Sequence, residues 1–161
     1  MNARLASLPL ALLLAAALPA LAQHEHESHA AYATHADAAS AATRARFKAD
    51  APLSREMAAI RAAFEAQLPA IHAGRLDAAG YAALGAEVET RVATMIRECR
   101  LPQDADATLH GYIGRMLAAA GRLKRADLDA TAHRDAALET ISAYNDYGVR
   151  FIDPAWKALK P

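Results

Sequence analysis

The sequence predicts an all-α protein: an antiparallel up-down four-helix bundle that follows a cleaved signal peptide and a flexible His-rich arm. Aromatic residues make up 6 % of the 161 residues and there are 7 glycines, a composition that favours helix over sheet. Four segments place apolar residues at intervals of three and four, which is the spacing of one helix face. Short links join these segments, and short links place consecutive helices antiparallel. No segment predicts a strand.

Residues 1–22 predict a signal peptide. The basic residue Arg4 precedes an uninterrupted apolar run from Leu5 to Leu21, and the run closes on the small residues that signal peptidase requires, at Ala20 and Ala22. A retained membrane anchor is the alternative, although the run is short for a bilayer span. Cleavage after Ala22 predicts a periplasmic protein without a membrane anchor.

Residues 23–49 predict a mostly disordered arm, because residues 23–41 contain no large apolar side chain except Tyr32. This arm carries four of the seven histidines, which are His24, His26, His29 and His35. Imidazoles and carboxylates in a flexible segment can wrap a transition metal such as zinc or copper, with loose geometry and little selectivity. The alternative is a solubilising tail that binds nothing.

The bundle domain is predicted over residues 50–158. Asp50 caps the first helix, Pro69 kinks or shortens its last turn, and Gly74 ends it. Asp77 caps the second helix, and Pro102 stops it. The apolar faces of the two helices are Met57, Ile60, Phe64, Leu68 and Ile71, then Tyr81, Leu84, Val88, Val92, Met95 and Cys99.

The third helix is predicted to begin between Asp104 and Asp106, where acidic side chains favour a helix N-terminus. Either Asp127 or Asp129 caps the fourth helix, and Trp156 folds back onto the end of the bundle. The apolar positions of these two helices are Leu109, Tyr112, Ile113, Met116, Leu117, Ala120 and Leu123, then Leu138, Ile141, Tyr144, Gly148 and Phe151.

An antiparallel bundle would bring several reactive side chains to one end, and a second metal site is predicted there. A cysteine, an imidazole and a thioether suit Cu(I), a soft metal. The residues at that end are Met57, Met95, Cys99, His110, Tyr144 and Tyr147, of which Met95, Cys99 and His110 are the candidate ligands. His72 and His133 lie towards the other end. The alternative is that Cys99 and the methionines are ordinary core residues.

Other functions are weakly supported. With 18 basic and 18 acidic residues the chain has no charge excess for nucleic acid, and no catalytic motif predicts an enzyme. The single cysteine cannot form an internal disulfide, but an exposed Cys99 would link two chains into a dimer. A b-type haem would use Met57 early in the first helix, but the fourth helix offers no histidine near its end, so His110 or Cys99 would have to substitute.

Residues 50–158 contain several short motifs, which are Ala70-Ile71-His72-Ala73-Gly74, Tyr81-Ala82-Ala83-Leu84-Gly85, Cys99-Arg100-Leu101, Ala105-Asp106-Ala107-Thr108-Leu109-His110, and Tyr147-Gly148-Val149-Arg150-Phe151-Ile152-Asp153-Pro154 before Trp156. These motifs resemble those of the DnrO-like family of small secreted or periplasmic helical proteins. The resemblance implies a periplasmic location and a helical fold, and it implies no reaction. The sequence therefore predicts a non-enzymatic accessory protein that binds copper or zinc. The alternative is a structural bundle that binds a protein partner and no ligand.

Overall fold

The computed structural model describes residues 46–161, and 73 % of these residues are helical. The helices are α1 (Ala51–His72), α2 (Ala78–Glu98), α3 (Gln103–Leu123) and α4 (Ala130–Arg150). Two strands of two residues each, β1 (Phe47–Lys48) and β2 (Phe151–Ile152), flank them. The prediction of an essentially all-α protein with four helices is confirmed. The predicted signal peptide and nearly all of the His-rich arm lie outside the described residues.

Aspartates begin three of the four helices, as predicted. The Asp50 carboxylate accepts the Leu53 amide at 2.9 Å, and Asp77 and Asp129 cap α2 and α4 in the same way. Such a carboxylate satisfies one of the unpaired amides of the first helical turn. Helix α3 begins at Gln103, directly after Pro102, without a side-chain cap.

Helix α1 continues through Pro69 to His72. Proline removes one amide donor from the helix ladder, but only one further turn follows it, so little of the helix depends on that bond. Gly74 then adopts a φ of 62°, a backbone conformation that glycine reaches without strain.

The predicted apolar faces form the core. Along α2, Tyr81, Leu84, Val88, Val92 and Met95 are all buried, and Cys99 at the end of the row is partly buried. The largest fully buried side chains are Tyr81, Tyr144, Tyr147, Phe64, Phe151, Leu53, Met57, Ile60, Ile71, Met95, Met116 and Leu123.

Consecutive helices pack against one another, whereas α1 and α4 touch only sparsely. At one end of the helices, the Asp50 carboxylate at the start of α1 accepts the Arg100 amide from the α2–α3 link at 2.7 Å. Elsewhere the Tyr81 ring, near the start of α2, stacks on the His133 ring, near the start of α4, with centroids 5.2 Å apart. Among residues 46–161, no helix has the length and apolarity that crossing a bilayer requires.

The strand pair was not predicted. Strands β1 and β2 pair in parallel, with Phe47 opposite Phe151, and the phenylalanine rings lie 5.8 Å apart. The pair ties the segment before α1 to the segment after α4. Each strand has two residues, which is too short for the alternating pattern by which a strand is predicted from sequence.

The segment after β2 fills the gap between α1 and α4. Trp156 lies on α4 as predicted, with its ring 6.3 Å from that of Tyr144. The fit depends on Gly148, because a Cβ atom there would come within 2.1 Å of the indole. Leu159, further along, is buried in the core.

Candidate functional site

Met95, Cys99 and His110 line one pocket of about 260 Å³ between the end of α2 and the start of α3. Cys99 follows the last residue of α2, and its amide still bonds the Met95 carbonyl at 2.9 Å. Helix α3 begins directly after Pro102 and packs against α2, and His110 of α3 lines the same pocket as Cys99. The remaining lining residues are Ile96, Asp106, Leu109 and Ile113.

His110 is held by a hydrogen bond within its own helix. Its side chain is 62 % exposed, and Nδ1 lies 2.8 Å from the Asp106 carbonyl oxygen. A carbonyl only accepts hydrogen bonds, so Nδ1 is the donor, and in the neutral imidazole the lone pair therefore lies on Nε2. Metal-binding histidines are commonly oriented by a carbonyl in this way.

Cys99 is held as a thiol. Burial raises the pKa of Cys99 to about 12, and the negative charge of Asp50 and a hydrogen bond to its carboxylate act in the same direction. The thiolate is the form that binds metals and attacks disulfides. A metal at Cys99 must therefore displace a proton.

Asp50 makes two contacts, beyond its helix cap, that its position in the sequence did not predict. One carboxylate oxygen caps α1 through Leu53, and the other accepts the Arg100 amide at 2.7 Å. The same carboxylate contacts the Cys99 thiol. Sequence spacing predicted the local cap, but the other two contacts join residues about fifty positions apart, for which no local pattern exists.

The other side chains expected at this end do not line the pocket. Met57, Tyr144 and Tyr147 are fully buried among core residues instead. The Tyr147 hydroxyl donates to the Asp153 carboxylate at 2.9 Å, and burial raises its pKa. These residues have structural partners, so the candidate ligands within the described chain are Met95, Cys99 and His110.

Within residues 46–161, no group of three or more His, Cys, Asp or Glu side chains is arranged to hold a metal ion. A metal in this pocket would therefore depend on the Met95 thioether as a third donor. The four histidines of the arm, which are His24, His26, His29 and His35, lie outside the described residues.

Two buried polar residues elsewhere were not identified from the sequence. His133 is 2 % exposed, stacks on Tyr81 and has Nε2 2.9 Å from the Arg125 carbonyl oxygen. Glu56 is buried between two arginines, with Arg55 at 2.8 Å and Arg91 at 3.3 Å. Both residues are satisfied by these contacts, of which the Glu56–Arg91 pair joins α1 to α2 and the Tyr81–His133 stack joins α2 to α4.

A wider cleft of about 520 Å³ lies on the other side of Asp50. It is bordered by β1 and by the α2–α3 link, and its walls are mainly apolar, with Phe47, Leu101 and Pro102 among them. The basic residues beside it, Lys48 and Arg100, are exposed. The charged residues that line this cleft are Lys48, Asp50 and Arg100, and none of its lining residues is a cysteine, histidine or methionine.

Comparison with models of protein families, with curated proteins and with solved structures found no match to this chain. The resemblance to DnrO-like proteins stays a prediction.

Proposed function

We propose that the protein is a periplasmic, non-enzymatic accessory protein that binds a transition metal, copper or zinc. The His-rich arm would capture the metal, and the pocket of Met95, Cys99 and His110 would hold copper as Cu(I). The observation that carries the proposal is that these three donors, separate in sequence, line one pocket.

The donor chemistry supports copper at this pocket. Thiolate and thioether sulfur are soft donors, which Cu(I) prefers to the oxygen donors that suit magnesium or calcium. Because Nδ1 of His110 donates to a carbonyl, the neutral imidazole would offer its Nε2 lone pair to a metal. Met95 is 1 % exposed, so its sulfur would bind from the inner wall while His110 binds from the open side.

The proposal also covers the topology of the four helices, the location of the protein and the family to which it belongs. An antiparallel up-down bundle is supported by the contact of Asp50 with Arg100 and by the stacking of Tyr81 on His133. Export is supported by the charge, apolar run and cleavage site of residues 1–22. Membership of the DnrO-like family is proposed on the short motifs alone.

A bundle that binds a protein partner is the second candidate. The observation that favours it is Ile96, which lies on the rim of the same pocket with 65 % of its surface exposed. An apolar side chain of a partner could enter the pocket beside Ile96, with Cys99 remaining a thiol. A haem protein is supported least, because Met57 is buried in the core.

Elemental analysis of the exported, untagged protein tests the proposal. Three proteins are compared: the intact chain, a chain lacking residues 23–41, and an intact chain carrying Cys99→Ser with His110→Ala. We expect stoichiometric copper or zinc in the intact chain, retention of about one metal ion per chain after the deletion, and loss of that ion in the double variant.

The other outcomes separate the candidates. Metal that disappears with residues 23–41 would reduce the function to loose binding by the arm. The absence of metal from all three proteins would contradict the proposal and leave the partner-binding bundle.

A further inference from the structure

The segment that follows β2 is bound in a groove between α1 and α4, mainly through its backbone. The carbonyl of Lys157 accepts two hydrogen bonds, from the Tyr144 hydroxyl at 3.1 Å and from Arg61 Nε at 3.2 Å. The Asn145 side chain bonds both backbone groups of Leu159, donating to its carbonyl at 2.8 Å and accepting from its amide at 2.9 Å.

Two side chains anchor this segment. Leu159 is 3 % exposed and belongs to the core, and Trp156 packs partly buried against Gly148 and Tyr144. Lys157 and Ala158, between the two anchors, are exposed. The groove therefore recognises an extended segment by its backbone and by an aromatic and a leucine side chain three residues apart.

This mode of recognition is the one that peptide-binding grooves use. Backbone hydrogen bonds supply affinity, and pockets for alternate side chains supply specificity, in many peptide-recognition domains. Here the occupant belongs to the same chain. A second copy of the protein carries the identical segment, so it is the one partner whose fit to the groove is already given by the structure.

The connection to this segment suits an exchange between copies. Asp153 is fixed to the helices, because its carboxylate accepts from Ser54 at 2.6 Å and from Tyr147 at 2.9 Å. A tight turn follows, in which the Trp156 amide bonds the Asp153 carbonyl at 3.1 Å, and Pro154 and Ala155 are exposed. Opening this turn would release residues 156–159 and leave the helices and β2 in place.

We propose that the groove between α1 and α4 also binds residues 156–159 of a second copy, which gives a two-fold dimer by reciprocal exchange. Exchange of an identical element replaces each internal contact by the same contact between chains and closes with two-fold symmetry. The proposal is independent of metal binding, because none of its residues lines the pocket of Cys99.

Complementation between two full-length variants tests this proposal. Asn145→Ala weakens the groove and keeps the segment, whereas Leu159→Asp weakens the segment and keeps the groove. Each variant alone lacks one half of every groove–segment pair. Mixed together, the intact groove of one and the intact segment of the other can combine.

We expect native mass spectrometry to show a heterodimer on mixing that exceeds either homodimer at least tenfold. Circular dichroism of each variant establishes that both are helical before mixing. Two folded variants that give no heterodimer would overturn the proposal.

A measurement on the unaltered chain covers the case in which a variant does not fold. A fluorescent peptide of residues 153–161 is titrated with the intact protein and followed by anisotropy, beside a control peptide carrying Leu159→Asp. We expect saturable binding that is at least tenfold weaker for the control peptide, together with a wild-type dimer by native mass spectrometry. Equal binding of the two peptides, no binding, or peptide binding without any dimer would each overturn the proposal.

Discussion

The pocket at the α2–α3 link and the groove between α1 and α4 differ in whether a segment of the chain covers them. The pocket is lined by the side chains of His110 and Cys99, which contact the Asp106 carbonyl and the Asp50 carboxylate. The groove is full, because Arg61, Tyr144 and Asn145 all bond the segment that covers it.

The difference indicates which region is available for a ligand. A buried polar group that already has partners contributes to stability and costs free energy when those partners are removed. His110, which lines the pocket with 62 % of its side chain exposed, can bind something new at little cost to the fold. Substitutions should therefore lower stability in the groove and change binding chemistry in the pocket.

The largest expected effect is that of Leu159→Ala. Removing this buried side chain should lower the free energy of unfolding by about 2 kcal/mol, the lower end of the usual range because the segment around it lies outside helix and strand and can relax into the space. Ile96→Ala, on the pocket rim, is the matched control and should change it by less than about 0.5 kcal/mol. Urea unfolding measures both, and equal effects would remove the contrast between the two regions.

Asn145→Ala should have an effect of similar size. It removes two hydrogen bonds to Leu159, each worth about 1 kcal/mol, and it should loosen the segment around Trp156. Trp156 is the single tryptophan of the chain, so its emission should shift to longer wavelength. Unchanged emission together with unchanged stability would show that Asn145 does not hold the segment.

On the pocket side, affinity for copper should depend on pH. The raised pKa of Cys99, about 12, means that a metal must displace the thiol proton throughout the neutral range. Affinity for Cu(I) should therefore rise with pH, by about tenfold per unit for one displaced proton. Competition titrations at several pH values measure the slope, and a Cys99→Ser chain should lose it.

The smallest expected effect is that of Asp50→Asn. The amide oxygen can still cap α1, but the negative charge near Cys99 is gone, so the pKa of the thiol should fall. Reaction of Cys99 with a disulfide reagent at pH 8 to 9 should become severalfold faster, because more thiolate is present. Asp129→Asn, which alters the cap of α4, is the control and should leave the reaction rate unchanged.

The regular part of the fold could be predicted because its signals are local. The caps Asp50, Asp77 and Asp129 each precede an apolar row with helical spacing, and Pro102 stands where one helix must stop. Each signal reflects a backbone requirement within a few residues. The shared pocket of Met95, Cys99 and His110 followed from the same information, since the two helices meet at a short link.

The groove could not be predicted, because its contacts join residues far apart in sequence without a pattern. From the sequence, Asn145 is an ordinary polar residue of a helix. Only the structure shows that its side chain bonds the backbone of Leu159. Its spacing places Gly148 on the apolar face of α4, but the spacing does not reveal that the indole of Trp156 occupies the space that a side chain would need. Hydrogen bonds from side chains to the backbone of a distant segment leave no periodic pattern in a single sequence.

X-ray absorption spectroscopy of the intact protein loaded with one equivalent of Cu(I) tests the central claim most directly. If Met95, Cys99 and His110 hold the metal, the spectrum will show two sulfur neighbours and one nitrogen, and Cys99→Ser will remove one sulfur. A first shell made only of nitrogen and oxygen, unchanged by Cys99→Ser, would contradict a copper site in the pocket.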